Sequence, residues 1–435
     1  MRAVMNDIAL PSSQSLQQRD KAHVWHTWSP HMADRTSTML VRSRGSHVFG
    51  IDGQRYLDCS ALNTTVGYGC AEVVTAIQTQ LMRLPGVDIS LGSHDVVGEL
   101  ATRLSEHTPP AIDRFLFVNS GSEAWDAALF VLASYWQVAG ERRNRFVAFR
   151  NGYQGSTIAS RSLSGLPRVS HPLTPPVDVS YVDLPFAAKD MRTDAALERL
   201  LERFRDAIDA EDVPPAAVIV EPLLNVGGAV VLPDAFLAEM AALCDERNTL
   251  LAVDEVFTGC GRCGSVSMSA ELGSTPDLLV LSKGMAGGYM PIAALGVTDA
   301  VYAMIGRDAD FGGLRYGHTT SGHAAACAAS LATLDILERD RLCERSHRLG
   351  ARLRAGLAGI GDLPGVVDIR GRGQVTAIQL DTAHRAAAVA GSLNRSGVLV
   401  RQPGDYILVC PPLVITEGET DALSLALHDA VGSAC

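Results

Sequence analysis

Between residues 95 and 325, short apolar runs alternate with segments whose apolar residues recur at helical spacing. The runs are 115–118, 146–149, 216–220, 250–253 and 278–281; the helical pattern occupies 122–136 and 233–247, with Asp234 in the first turn of the second. Runs with no polar alternation suit strands covered on both faces. Their alternation with helices predicts βαβ units and a mainly parallel sheet. Upstream, residues 48–58 alternate in polarity around Asp52-Gly53, which predicts a hairpin. Downstream, an Ala-rich helix is expected from His323 to about Glu338. Residues 349–434 then mix two helices with strands at 375–380 and 406–409, the pattern of a smaller α+β domain. The expected organisation is an arm over 1–22, mobile to about Asp20, and a first part of the small domain over 23–62. The large domain follows over 63–325 and the rest of the small domain over 326–435. The aromatic-rich stretch 23–30 is expected to pack on the body or on a partner subunit.

A chain of 435 residues exceeds what one hydrophobic core supports, in keeping with more than one domain. The net charge of −11 and the lack of a basic cluster argue against nucleic acid as a partner. No apolar run approaches the ~20 residues that span a bilayer. The first 20 residues have no sustained apolar core of the secretory kind. Nine irregularly spaced cysteines, an odd number, fit a reducing compartment, so a cytoplasmic protein is expected. Cys260-Gly-Arg-Cys263 lacks a second pair at zinc-site spacing and a redox context, and no metal is expected there.

Candidate chemistry lies where the runs end. Residues 250–253 close on Asp254, and 278–281 close on Ser282-Lys283. Ligands of open α/β sheets sit at the carboxyl ends of strands. An acid and an amine presented there are either an ordinary ion pair or the pair a pyridoxal phosphate (PLP) site needs: a carboxylate for the ring nitrogen and a lysine for the aldehyde. Asn119-Ser120-Gly121-Ser122-Glu123 follows a strand and opens a helix; it can cap that helix, seat a phosphate, or do both. Asn151-Gly152-Tyr153-Gln154-Gly155 offers an aromatic on a glycine-framed loop, either to cover a ring or to fill the interior. Glu221 ends another run, and His318-Thr319-Thr320-Ser321 precedes the Ala-rich helix.

These segments in this order, with Asp254-Glu-Val-Phe-Thr-Gly and Ser282-Lys283-Gly284 separated by 29 residues from acid to lysine, resemble the class III PLP-dependent aminotransferases over about residues 23–430. The resemblance implies an α/β chain of fold type I, with a mainly parallel seven-stranded sheet and a small domain built from both termini. Lys283 would hold PLP covalently and shuttle the substrate proton, while Asp254 would pair the ring nitrogen. Val256 and Tyr153 would pack on the two ring faces, Gly121 and Ser122 would bind the phosphate, and Glu221 would sit near the ring. His318 and Thr319 would reach the phosphate of a neighbouring subunit, so a homodimer with shared sites is implied. Trp28, Tyr153, Gly317 and Arg401 match substrate-facing positions. Three segments (23–28, 135–140 and 145–153) are similar to the branch that forms diaminopelargonate in biotin synthesis.

The departures concern substrate positions. That branch has paired tryptophans where this chain reads Ser60-Ala-Leu-Asn-Thr-Thr65, a histidine where Gln154 stands, and a late tyrosine where Leu408 stands. Cofactor positions retained beside altered substrate positions imply the same chemistry on another substrate. The expected partners are therefore a small-molecule amino donor and a ketone or aldehyde acceptor, including the option of a modified peptide, in specialised metabolism. The alternatives are diaminopelargonate synthesis itself, or a racemase or aminomutase on the same fold.

Overall fold

The computed structural model of the chain describes residues 13–29, 38–167 and 177–435. Its centre is one seven-stranded sheet, in the order Ile112–Val118, Ala293–Thr298, Leu278–Leu281, Leu250–Asp254, Ala217–Val220, Arg145–Phe149, Asp178–Val182. Ala293–Thr298 runs against both neighbours; the other strands of this sheet are mutually parallel. Successive residues of each central strand enter different apolar layers. Val218, Val220, Leu251, Val253, Leu279 and Leu281 join one cluster. Ala217, Ile219, Leu250, Ala252, Leu278 and Val280 join the other. Both layers are buried and apolar, which is why these runs lack a polar alternation. The first layer is closed by Asp194–Ile208 and Phe236–Glu246, where the rings of Phe149, Phe204 and Phe236 meet with centroids 5.0–5.9 Å apart. The second is closed by Gly121–Val138.

Smaller sheets flank this body. The hairpin His47–Gly50/Arg55–Asp58 forms as expected, and Val398–Leu399 pairs in parallel with Arg55–Asp58, joining the two ends of the chain. A further strand, Leu40–Arg44, extends that sheet; its five residues are all exposed, so it carried no apolar signal. Val366–Arg370, Thr376–Leu380 and Tyr406–Val409 form a three-stranded antiparallel sheet.

Several expectations need correction. The arm expected over 1–22 contains a helix, Ser13–His23, built of the good helix formers Gln, Arg, Lys and Ala; residues 1–12 lie outside the described residues. In the 23–30 stretch, Trp25 and Trp28 are exposed in the single chain, Trp28 meets Tyr153 by its edge, and Pro30 lies outside the described residues. The helix expected over 233–247 begins at Phe236, so Asp234 lies before it and pairs with Arg372 at 2.5 Å instead. The C-terminal region holds three helices rather than two: Leu342–Gly356, Ala383–Arg395 and Glu417–Gly432. The first was missed because its charged sequence buries only a narrow stripe, including Leu342, Leu349 and Leu353, after a left-handed turn at Arg341 (φ 49°). No helix of the described residues is long and apolar enough to cross a membrane.

Candidate active site

The carboxyl ends of the parallel strands open on a cavity of about 460 Å³. Asp254 ends its strand and pairs in register with Val280 of the next, so Lys283 follows on the same edge. Glu221 directly follows Ala217–Val220. Gly121 and Ser122 open the helix after Ile112–Val118. All five line the cavity, with Tyr153, Val256 and Arg401. Position follows from sheet topology: parallel strands deliver every such residue to one edge.

Two adjacent carboxylates have different tasks. Glu255 accepts from Ser267 Oγ (2.8 Å), Met268 N (2.6 Å) and Ser269 N (2.8 Å), so it is spent on fixing the next loop. Asp254 faces the cavity with two donors only, Trp125 Nε1 at 2.6 Å on Oδ2 and Val256 N at 2.9 Å on Oδ1. Burial pushes the Asp254 carboxyl up to about 6, against the pull of Lys283 and the two N–H donors. Glu221 accepts from Tyr153 N (2.9 Å) and Asn225 N (3.4 Å). Burial, then the like charge of Asp254, raises it to about 8. Lys283 opens onto the cavity and so retains some accessible area, yet protein encloses its amine enough that desolvation lowers its pKa, over the opposing attraction of Asp254 and Glu221. Its backbone is left-handed, with φ 38°.

The opposite end suits an anion. In the first turn of Gly121–Val138, the N–H groups of Gly121 and Ser122 have no intrahelical acceptor. Ser120 caps the helix by accepting from Glu123 N at 3.3 Å, and the Glu123 carboxylate turns back to Asn119 N at 2.7 Å. Both readings of this segment, cap and anion seat, are therefore compatible. A Cβ on Gly121 would lie 3.0 Å from Val256 Cγ2, and one on Gly155 would lie 2.3 Å from Ser160 Oγ and 2.7 Å from Ser122 Oγ. The two glycines keep open a cradle that any side chain would fill.

Ser122 Oγ accepts from Ser156 N at 3.0 Å, tying the Tyr153 loop to the helix start. Tyr153 OH lies 2.7 Å from Ser156 Oγ, and the Trp28 ring stands edge-on at 6.0 Å. Arg401 Nε donates to Ser60 O at 2.7 Å, and its backbone pairs with Leu408. Trp28 lies outside the cavity lining, at the edge of Tyr153. Gly317 does not line this cavity in the single chain and is exposed. His318 and Thr319 also lie outside it; His318 Nε2 is 3.1 Å from Tyr316 OH. Cys260 and Cys263 are buried in separate apolar clusters, and no group of His, Cys, Asp and Glu among the described residues is arranged to hold a metal.

Sequence reasoning missed Trp125, Asn225 and Phe257 as cavity or support residues. Trp125 carried a signal: an indole N–H on the buried face of a helix must find an acceptor. A second overlooked signal is composition, since the chain has only three lysines, Lys21, Lys189 and Lys283, and the first two are exposed.

Comparison with known proteins agrees with this geometry. The family model for class-III aminotransferases matches residues 29–431. The adenosylmethionine-8-amino-7-oxononanoate aminotransferase of Nitratidesulfovibrio vulgaris is 35% identical, over 96% of this chain and 81% of that protein. An omega-aminotransferase of Caulobacter vibrioides is 31% identical, over 93% and 94%. Among solved structures, a PLP-bound amine transaminase from an uncultivated Pseudomonas species superposes with a TM-score of 0.89 at 30% identity, covering 95% of this chain and 99% of that one.

Proposed function

The chain belongs to the class III aminotransferases, which are PLP-dependent, and from that premise we propose how its own residues carry the reaction and what it acts on. The residues fit the cofactor. A cationic ring nitrogen would relieve Asp254, a carboxylate whose pKa burial raises. The cradle at Gly121, Ser122 and Gly155 has room and donors for a phosphate. When bound, PLP supplies an electron-withdrawing ring that acidifies the substrate carbon to be deprotonated.

Asp254, held by Trp125 and Val256, would pair the ring nitrogen and favour its protonated form. Lys283 would hold the cofactor covalently; freed by the amino donor, its Nζ would take the proton from the substrate Cα and deliver it to the cofactor carbon that keeps the amino group. A lowered pKa keeps that amine free to accept it. Tyr153 and Val256, both lining the cavity, would confine the ring, and Glu221 sets the Tyr153 loop through the Tyr153 N–H. His318 and Thr319, outside the cavity of their own chain, serve a second copy's phosphate site in a homodimer. Arg401, anchored to Ser60 O, presents its outer guanidinium edge to a substrate carboxylate. Trp28 guards the entrance beside Tyr153. Nine free cysteines support a reducing compartment, the cytoplasm.

The substrate lies outside biotin synthesis, in specialised metabolism. Leu62 and Asn63 line the cavity in the segment where the biotin branch carries tryptophans, so the wall that branch presents is absent. The observation that carries the whole reading is the delivery of Lys283 and Asp254 by neighbouring strands to one cavity. Following the spectral change from the PLP to the pyridoxamine form across a panel of amines and amino acids tests it, with 8-amino-7-oxononanoate as the acceptor to be compared. Normal turnover of that acceptor would return the chain to biotin synthesis.

A further inference from the structure

Asn225 sits in the tight connection between Leu223–Leu224 and Val230–Val231, and its backbone is fully engaged. Its N–H reaches Glu221 at 3.4 Å, and its carbonyl accepts from Ala229 N (3.0 Å), Gly228 N (3.3 Å) and Tyr406 OH (3.4 Å). Its side-chain oxygen is not engaged. Asn225 is 2% exposed and lines the cavity, yet its Oδ1 is buried without a hydrogen-bond partner. A buried acceptor left unmade carries the cost of its lost hydration, so it calls for a partner that completes it.

The position of this carboxamide says which part of a ligand it meets. Tyr406, which holds the Asn225 carbonyl, is two residues from Leu408 on one strand, and Leu408 pairs with Arg401. Two strand residues span about 7 Å. Asn225 and Arg401 both line the cavity, and the strand Tyr406–Val409 touches each of them. Neither the Asn225 carboxamide nor the Arg401 guanidinium is hydrogen-bonded to Lys283 or Asp254.

We infer that Asn225 is a specificity-determining residue: it reads a hydrogen-bond donor, a hydroxyl or an amide N–H, placed next to the carboxylate that Arg401 holds. The inference rests on the aminotransferase reading and on Arg401 facing substrate. It narrows the substrate class to amino or oxo acids with a donor beside the carboxylate, such as α-hydroxy acids or N-acylated amino acids. A site built to bond a donor discriminates strongly against the analogue lacking it, because the site's own buried group is then left unpaired.

The test uses the PLP-loaded full-length protein and short ω-amino acids, each paired with its α-hydroxy analogue. Single-turnover kcat/KM is read from the spectral change. The hydroxy member should be favoured by ten-fold or more for at least one chain length, through KM, and Asn225→Leu should collapse that ratio toward unity. A wild-type ratio near unity at every chain length overturns the inference with no variant needed. An Asn225→Leu protein that keeps the wild-type ratio overturns it as well. So does one that mainly loses retained PLP, since Oδ1 would then be serving the cofactor. If the plain amino acids turn over but the ratio is flat, only this inference fails. If no amine of any kind produces the spectral change, the function proposed above fails with it.

Discussion

At the residue scale the site is a problem of buried charge. Glu221 and Asp254 share one cavity with a single amine, Lys283. The folded, cofactor-free protein keeps a proton on Glu221 up to about pH 8, whereas the unfolded chain releases it near 4.5. The folded state thus binds the extra proton, and stability falls as pH rises through that window. Asp254 adds the same sign between 3.8 and about 6. Glu221→Gln should flatten this part of the fall, read as the urea midpoint of the cofactor-free protein at several pH values. An unchanged slope would contradict the assignment. Trp125→Phe removes one of two donors from Asp254, and one hydrogen bond to a charged group is worth about 1.5–3 kcal/mol. We expect a roughly ten-fold or greater loss in kcat, with the acid limb of the pH–rate profile moved upward. Asp254→Asn should cut the rate further still while the fold persists; a near-normal rate would remove Asp254 from the mechanism.

At the element scale, strand ends and a helix start do the positioning. Asp254 and Glu221 could be named in advance because each is the first polar residue after a continuous apolar run, and Lys283 because it follows such a run and Ser282; topology alone puts such residues on one edge. Leu40–Arg44 could not be found that way, since an exposed edge strand has no apolar period. Asn225 escaped for another reason: its importance lies in the lack of a partner, a property of packing that no spacing encodes. Trp28 and Gly317 were placed by resemblance, and a single chain brings neither into the cavity lining. Gly155 gives a test at this scale. With φ 151° and a Cβ that would come within 2.3 Å of Ser160 Oγ, Gly155→Ala must shift the loop that holds Tyr153 and Ser156 against Ser122. PLP retention on dialysis should drop by an order of magnitude while the melting temperature falls only modestly; retention at the wild-type level would show that the cradle is not the phosphate seat.

At the scale of the whole molecule, the two chain ends meet through Val398–Leu399 and Arg55–Asp58, which carries Arg401 back over the cavity rim. His318 and Thr319 lie away from their own cavity, so the proposed shared site needs a second copy. Mixed dimers decide this. Combining Lys283→Ala chains with His318→Ala chains creates one site that has both residues only if His318 acts across the interface. Activity above that of either parent is expected on mixing; none would place His318 in its own subunit or outside the site.

The most direct measurement is borohydride reduction of the PLP-loaded protein followed by peptide mapping. With only three lysines in the chain, the outcome is unambiguous. The pyridoxyl label is expected on Lys283 alone, and it should be lost in Lys283→Ala although that protein still binds PLP reversibly. A label on Lys21 or Lys189 instead, or none on any lysine, would contradict the account at its root.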